Sequence, residues 1–284
     1  MNELITQALG ILGSAAIIGL ISIGLAVSFR LMGIINFAHG TFIMVGAYAG
    51  VMSQAAWHLP WVPSVLFAVA VGLALGVASE VPLVRKLYHS PELSILGTFG
   101  LAVVLEQVVR LIFGNQFQLS NGPLTGPVDI FGVQYSSYRL LLIVIAVLVL
   151  AAVIGVLQFT PMGVRVRAIA ADHSLAETLG VRASRLNLGV FTASAGLAAL
   201  AGVLVAPIST VSPTMGNSYL FTAFITVIVG GSRIWGVLAA SILVAAVQNL
   251  TATWLNPIVA DLAVLALAFL ALQWFHSTAV REVV

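Results

Sequence analysis

The stretch Gly33-Ile-Ile-Asn-Phe-Ala-His-Gly40 sets an amide and an imidazole three residues apart between two long apolar runs. Glycines bracket the pair. A helix interrupted there frees backbone carbonyls and amides to face a cavity, and Asn36 and His39 add side-chain donors and acceptors, which is the chemistry of substrate binding on a discontinuous helix. The same residues also fit a plain breaker, in which they satisfy each other or cap the following helix. Glu106 and Arg110 make a second polar feature: at i, i+4 they can pair on one helix face, and burying either alone is costly. A structural ion pair near the outer end of its helix and a proton or ion relay both fit that spacing.

The third feature is "TPMGVRVRAIAADHSLAETLGVRASR", Thr160 to Arg185. Pro161 and Gly163 punctuate its start. Ala168, Ala171, Leu175 and Leu179 are spaced by three, four and four, which draws one apolar stripe along a short helix. Gly180 suits its C-terminal cap. Arg165, Arg167, Asp172 and Glu177 cover the other faces, so the segment reads as an amphipathic helix outside the bilayer. It either docks into a protein groove or lies on the membrane surface.

The elements that position these groups follow from composition. Of 284 residues, 61% are hydrophobic and 7% charged, where a soluble domain carries roughly 25% charged residues. Mean hydropathy is +1.13. The chain therefore reads as an all-α polytopic membrane protein, a helical bundle of about 8 to 10 transmembrane helices with at least one broken helix. Expected spans are 8–29, 38–57, 61–84, 93–113, 140–159, 186–206, 219–235, 236–254 and 258–275. The turn around Gly230-Gly231-Ser232-Arg233 fits either a tight hairpin or one broken helix. The whole chain, 1–284, reads as one transmembrane domain with its polar segment at about 160–185.

The start, Met-Asn-Glu, has no basic region and the apolar run after it is too long for a signal peptide, so it is expected to stay as the first helix. With the N-terminus outside, Arg30, Arg85, Lys86, Arg165, Arg167, Arg182, Arg185, Arg233 and Arg281 all fall on the cytoplasmic side. Only Arg139 is left outside, with Arg110 inside a span. That agrees with the positive-inside rule. Glu3, Asp129 and Asp261 then lie outside and the C-terminus is cytoplasmic. Gly46-Ala-Tyr-Ala-Gly50 and Gly72-Leu-Ala-Leu-Gly76 are GxxxG pairs, suited to close helix packing or, in the alternative, to a hinge.

Cysteine is absent, which removes disulfides, thiolate metal sites and cysteine nucleophiles. The remaining His and acids are scattered over different spans without HExxH or GxSxG spacing, so neither a metal site nor a catalytic residue is expected. A P-loop needs GxxxxGK[ST], and the single lysine, Lys86, sits in Arg-Lys-Leu. Energy must come from a partner or from a gradient.

The block "GIINFAHGTFIMVGAY" resembles the N-terminal signature of permease subunits of branched-chain amino acid ABC importers, and "RVRAIAADHSLAETLG" resembles their ATPase-docking loop. "SAGLAALAGVL" and "FITVIVGGSRIWG" resemble later family blocks in the same order. The resemblance implies a bacterial or archaeal inner-membrane importer without catalytic activity or cofactor of its own, ATP and Mg residing on partners. Those partners are a second related permease, two ATPase subunits and an extracytoplasmic solute-binding protein, with no nucleic acid. Thr41 stands where relatives often carry an acid, and permeases for urea, amides or other amino acids share much of the signature.

The mechanism expected from this resemblance is alternating access. ATPase closure would move the segment from Arg165 to Leu179 as a lever, with Arg165, Arg167, Ala168, Ala171, Asp172, Leu175, Glu177, Leu179 and Gly180 as coupling positions. Asn36, Phe37 and His39 are placed near the pathway, joined by Thr41, Thr98 and Gln107 as polar positions on neighbouring spans. An ion-coupled secondary transporter or channel using Glu106 or Asp261 is the rival from another class. It has no need of the amphipathic segment. A membrane scaffold without a pathway would leave the polar break unexplained.

Overall fold

Backbone groups that enter hydrocarbon must pair within their own segment, and this chain meets that demand with helices almost throughout. The computed structural model describes residues 2–33, 36–88, 90–231 and 233–281. Among them run α1 (Asn2–Met32), α2 (His39–Trp57), α3 (Trp61–Glu80), α4 (Pro91–Phe113), α5 (Ser137–Phe159), α6 (Pro161–Ala171), α7 (His173–Thr178), α8 (Ala183–Val205), α9 (Met215–Gly230), α10 (Ile234–Trp254) and α11 (Pro257–Arg281). An antiparallel hairpin, β1 (Pro127–Ile130) with β2 (Val133–Ser136), precedes α5. Its tip, Phe131-Gly132, takes positive φ at both residues, 52° and 82°, as a two-residue type I′ turn requires.

Six helices among the described residues are long and apolar enough to cross a membrane: α1, α3, α4, α5, α8 and α10. Two further apolar stretches, Met215–Gly230 and Pro257–Gln273, are shorter. The protein is thus an all-α polytopic membrane protein, with some spans corrected in extent. The expected 61–84 span stops at Glu80, and a 3-10 turn occupies Val84–Leu87. The expected 219–235 span begins at Met215 and stops at Gly230, followed by Gly231 at φ 64°. Two separate helices therefore flank residues 231–233, of which Ser232 lies outside the described residues. Gly230 is held against Gly236 and Val237, where an added Cβ would come within 2.5 Å of the Val237 Cα.

The chain divides into two compact units: Met1–Ile23 with Leu124–Val147 and Phe221–Val284, and Gly24–Pro123 with Leu148–Leu220. In the first, α10 packs along α11, and Ala15 and Ile18 of α1 share a core with Val244, Ala245 and Val264. Asn249 ties it together by donating its amide to Ser14 Oγ at 3.0 Å and to Ala245 O at 2.8 Å.

In the second unit α8 is the central element, with α2 and α3 laid against it. Both GxxxG pairs serve this packing. A Cβ on Gly46 would sit 2.2 Å from Ala199 O, and one on Gly72 would sit 2.4 Å from the Ala199 Cβ. Gly50 meets Val203 and Gly76 meets Thr192 in the same way. Small residues let backbones touch where lipid supplies no hydrophobic drive between helices, so dispersion and close packing hold the unit. α2 is absent from the six spanning candidates, yet most of its length is buried by neighbouring helices.

Candidate functional site

α1 ends because Gly33 turns left-handed at φ 66°, its N–H still closing on Phe29 O at 2.8 Å. Ile34 and Ile35 lie outside the described residues. The break that follows is built from short local bonds. Asn36 Oδ1 accepts the Ala38 N–H at 3.0 Å, and Asn36 O accepts the His39 N–H at 3.3 Å. Thr41 donates its hydroxyl to Ala38 O at 2.8 Å. Asn36 thereby forms an Asx-type turn rather than a helix cap, since the N-cap position is Ala38 and carries no side-chain cap bond.

Neighbouring helices complete the site. Thr98 of α4 accepts the Phe37 N–H at 3.1 Å, and the Phe37 ring meets Phe99 edge-on at 6.3 Å. The His39 imidazole lies with Nδ1 3.5 Å from Ser194 Oγ of α8, while Ser194 donates to Gly24 O of α1 at 2.8 Å. Gly24 makes room for this, because a Cβ there would press on His39 Cε1 at 3.3 Å. The start of α2 also abuts the start of α9, Gly40 against Gly216, where a Cβ on Gly216 would lie 2.1 Å from Gly40 O. Asn36, His39, Thr41, Thr98 and Ser194 are all buried, at 0 to 4% exposure. The result is an enclosed knot of amide, imidazole and hydroxyl groups at a helix break, which can offer hydrogen bonds to a polar solute and holds no acid.

Five of the sequence candidates, Asn36, Phe37, His39, Thr41 and Thr98, come together here. Gln107 does not: it is exposed on α4, about 13 Å along the helix from Thr98 at 1.5 Å per residue. Ser194 and Gly24 were missed as site residues. Ser194 opens the block "SAGLAALAGVL", and its polar side chain on an otherwise small-residue helix was the available signal. Glu106 and Arg110 form the expected ion pair through Oε1 and Nη2, half-buried on α4.

The polar segment departs from expectation. It is two helices, α6 and α7, because Asp172 breaks the first and caps the second by accepting the Leu175 N–H at 2.9 Å. A short carboxylate competing for backbone N–H groups favours a cap over a helix interior. Gly163, Val166, Ile169 and Ala176 face inward, whereas Ala171, Leu175 and Leu179 of the expected stripe are exposed and Ala168 is half-buried. Leu175 is 57% and Leu179 76% exposed. Gly180 ends α7 as expected, at φ 88°, with Gly180 N–H on Glu177 O and Val181 N–H on Ala176 O, the paired bonds of a Schellman cap. Arg165, Arg167, Asp172 and Glu177 are exposed, and His173 faces Glu177 at 3.9 Å.

The corner between α5 and α6 is closed by local contacts. Thr160 caps α6 through its side chain to Gly163 N, and Arg167 donates to Leu157 O. A Cβ on Gly163 would lie 2.0 Å from that same Leu157 O. Gly163→Ala is therefore expected to cost about 3 kcal/mol or more, since the clash is with backbone that no rotamer can relieve, read as a lower melting temperature. Gly155→Ala, eight residues earlier on α5 with open space around it, is the matched neutral control.

A second polar cluster was also missed. Glu80, fully buried at the end of α3, accepts Arg85 through both oxygens, at 3.2 and 2.9 Å, and accepts the Tyr88 hydroxyl. Ser94 of α4 ties the same turn by donating to Leu87 O at 2.6 Å. Burial pushes the Tyr88 phenol well above its usual range, and its bond to the Glu80 carboxylate adds to the rise. A raised folded pKa gives stability that is fully present below the unfolded value, about 10, and is lost as pH climbs through the folded one. The stability of the parent relative to Tyr88→Phe should thus be constant from pH 7 to 9 and fall above about pH 10, and a difference that does not fall there would show that the phenol is not held in this way.

Comparison with known proteins places these features in context. The family model described as "Branched-chain amino acid transport system / permease component" matches residues 7–272. The high-affinity branched-chain amino acid transport system permease protein LivH of Escherichia coli (strain K12) is 26% identical over 269 residues, 89% of this chain and 87% of the relative. BraD of Pseudomonas aeruginosa, a permease of the same description, is 26% identical over 227 residues, 75% of this chain and 74% of its own. The ribose import permease protein RbsC of Haemophilus influenzae is 25% identical over 236 residues, 82% of this chain and 71% of its own. No solved structure gives a significant match.

Proposed function

The chain belongs to the family of permease components of branched-chain amino acid transport systems, and from that premise we propose how it moves its substrate and what drives it. It is the membrane permease subunit of an ABC importer for branched-chain, hydrophobic amino acids. Separate ATPase subunits supply the energy and an extracytoplasmic binding protein delivers the cargo. A second, related permease completes the pathway, two ATPase subunits dock beneath, and the N-terminus faces outward, as the distribution of arginines favours.

The observation that carries the coupling reading is the pair Leu175 and Leu179, exposed on a helix held at both ends by caps. An apolar pair facing away from its own protein suits a groove on an ATPase subunit. From Gly180 the chain passes into α8, and Ser194 lies about 17 Å along that helix at 1.5 Å per residue. A push on α7 then reaches His39 and Gly24 through one rigid element. That is a two-state linkage between an ATP-driven partner and the helix break. Opening would separate α4 and α8 from the start of α2, releasing the Phe37 N–H and the His39 ring to the solute. The few hydrogen-bonding groups at the break would meet the polar end of a hydrophobic amino acid, and their small number suits a solute that must bind weakly enough to leave.

The test is uptake of radiolabelled leucine by vesicles holding the chain with its partner subunits, with and without ATP. Leu175→Arg should abolish ATP-driven uptake and release the ATPase subunits from the complex. Asn36→Ala should cut uptake while the complex stays assembled. Transport by the chain alone on an ion gradient, indifferent to Leu175, would sink the reading.

A further inference from the structure

A cavity of 470 Å³ lies in the second unit, walled by residues of α1, α3, α5, α6 and α8. Its lining is apolar: Leu73, Ala152, Val156, Met162 and Leu197 are typical, and no charged residue takes part among the described residues. Ser194 supplies the one side-chain hydroxyl in that lining, and its proton is already given to Gly24 O at 2.8 Å. The cavity thus reaches from the α5–α6 corner, through Met162 and Val166, to the two residues that touch His39.

We propose that this cavity is a binding site for one acyl chain of a membrane phospholipid, whose presence props α5 and α6 against α8. Three other occupants fail on chemistry or size. Water needs two to four polar partners, and the lining offers a single side-chain hydroxyl, Ser194, whose proton is already given to Gly24 O. A free amino acid would strand its ammonium and carboxylate in an apolar space, which is prohibitively costly. A helix of a partner subunit is a cylinder about 10 Å across rising 5.4 Å per turn, so the space takes roughly one turn and no more. A flexible hydrocarbon chain meets every wall, needs no hydrogen bond and is supplied by the bilayer around α3 and α5, both of them spanning candidates. Because α6 contributes Met162 and Val166, the occupant fixes the angle at which the docking helices leave the bundle, and lipid composition thereby sets the coupling.

The experiment uses the transporter assembled with its partner subunits in nanodiscs of phosphatidylethanolamine and phosphatidylglycerol, doped with a phospholipid carrying a diazirine at its acyl terminus. After irradiation, adducts on Ala152, Ala193 and Leu197 are compared with those on Leu66, 65% exposed on the spanning helix α3, and Leu265, 59% exposed on the apolar helix α11. Adducts in the cavity should exceed those on the exposed faces. Ala193→Trp, and independently Ala152→Phe from the facing wall, should deplete the cavity adducts severalfold and leave Leu66 unchanged. Cavity labelling no higher than on the exposed faces, or labelling indifferent to both filling variants, would each overturn the proposal. The readout needs no transport. Failed labelling with intact leucine uptake overturns the lipid site alone, and labelling without leucine uptake overturns the substrate reading alone.

Discussion

Gly202→Val should leave almost no folded protein in the membrane. A Cβ at this position would lie 1.9 Å from Ile43 O and 3.0 Å from Ala47 N, both backbone atoms of α2. No rotamer can relieve a clash with backbone, so α2 and α8 must separate, and the contacts at Gly46–Ala199 and Gly50–Val203 separate with them. Overpacking of a tight core costs about 1–3 kcal/mol where side chains can yield, and here they cannot, so the expected loss is about 3 kcal/mol or more. Because α2 begins at the helix break, any protein that does fold should show weakened uptake as well. Monodisperse yield and melting temperature check this, with Gly100→Val, which meets open space on α4, as the matched change. Equal yields for the two variants would mean that α2 and α8 are not in backbone contact.

The second large effect concerns Glu80. Arg85→Ala removes the bidentate partner of a carboxylate that has no exposure of its own, and leaves the Tyr88 hydroxyl to hold it. A stranded buried charge is far costlier than the pair it came from. Abundance of the assembled protein should fall several-fold, as small losses of stability do in cells. Glu80→Gln combined with Arg85→Ala should recover most of it, because the charge has gone with its partner and the pair is non-additive. If the double variant is as scarce as Arg85→Ala, the defect lies in Arg85 itself and the buried carboxylate is not the cause.

Much of the site could be read from residue types. Asn36 and His39 stood out because polar side chains inside apolar spans are costly and are kept for function, and the structure gathers them with Phe37, Thr41 and Thr98. Ser194 and Gly24 were not legible: Ser194 comes from a helix 155 residues beyond His39, Gly24 from the helix just before the break, and a lone Ser or Gly in a small-residue span carries no local signal. Glu80 was overlooked for a different reason: it closes an apolar run, where a charge reads as a boundary residue facing water. Only the fold back through Arg85 and Tyr88 buries it.

The lever shows where local pattern misleads. Spacing by three and four drew one stripe ending at Gly180, and Gly180 does end α7, but Asp172 interrupts the helix, and the residues turned inward are Val166, Ile169 and Ala176. Periodicity reports which residues share a face, not which face is covered. The sequence by itself determined that the chain lives in a membrane, that its backbone is helical, where most helices run and which polar groups interrupt them, because hydrocarbon enforces these locally, residue by residue. The tertiary structure alone decided that both glycine pairs converge on α8, that the break is closed by α4 and α8, and that Leu175 and Leu179 are left uncovered. Those outcomes depend on contacts between segments distant in sequence, 61 residues for Phe37 with Thr98 and 155 for Ser194 with His39, and in lipid such contacts are set by shape and close packing rather than by hydrophobic pattern.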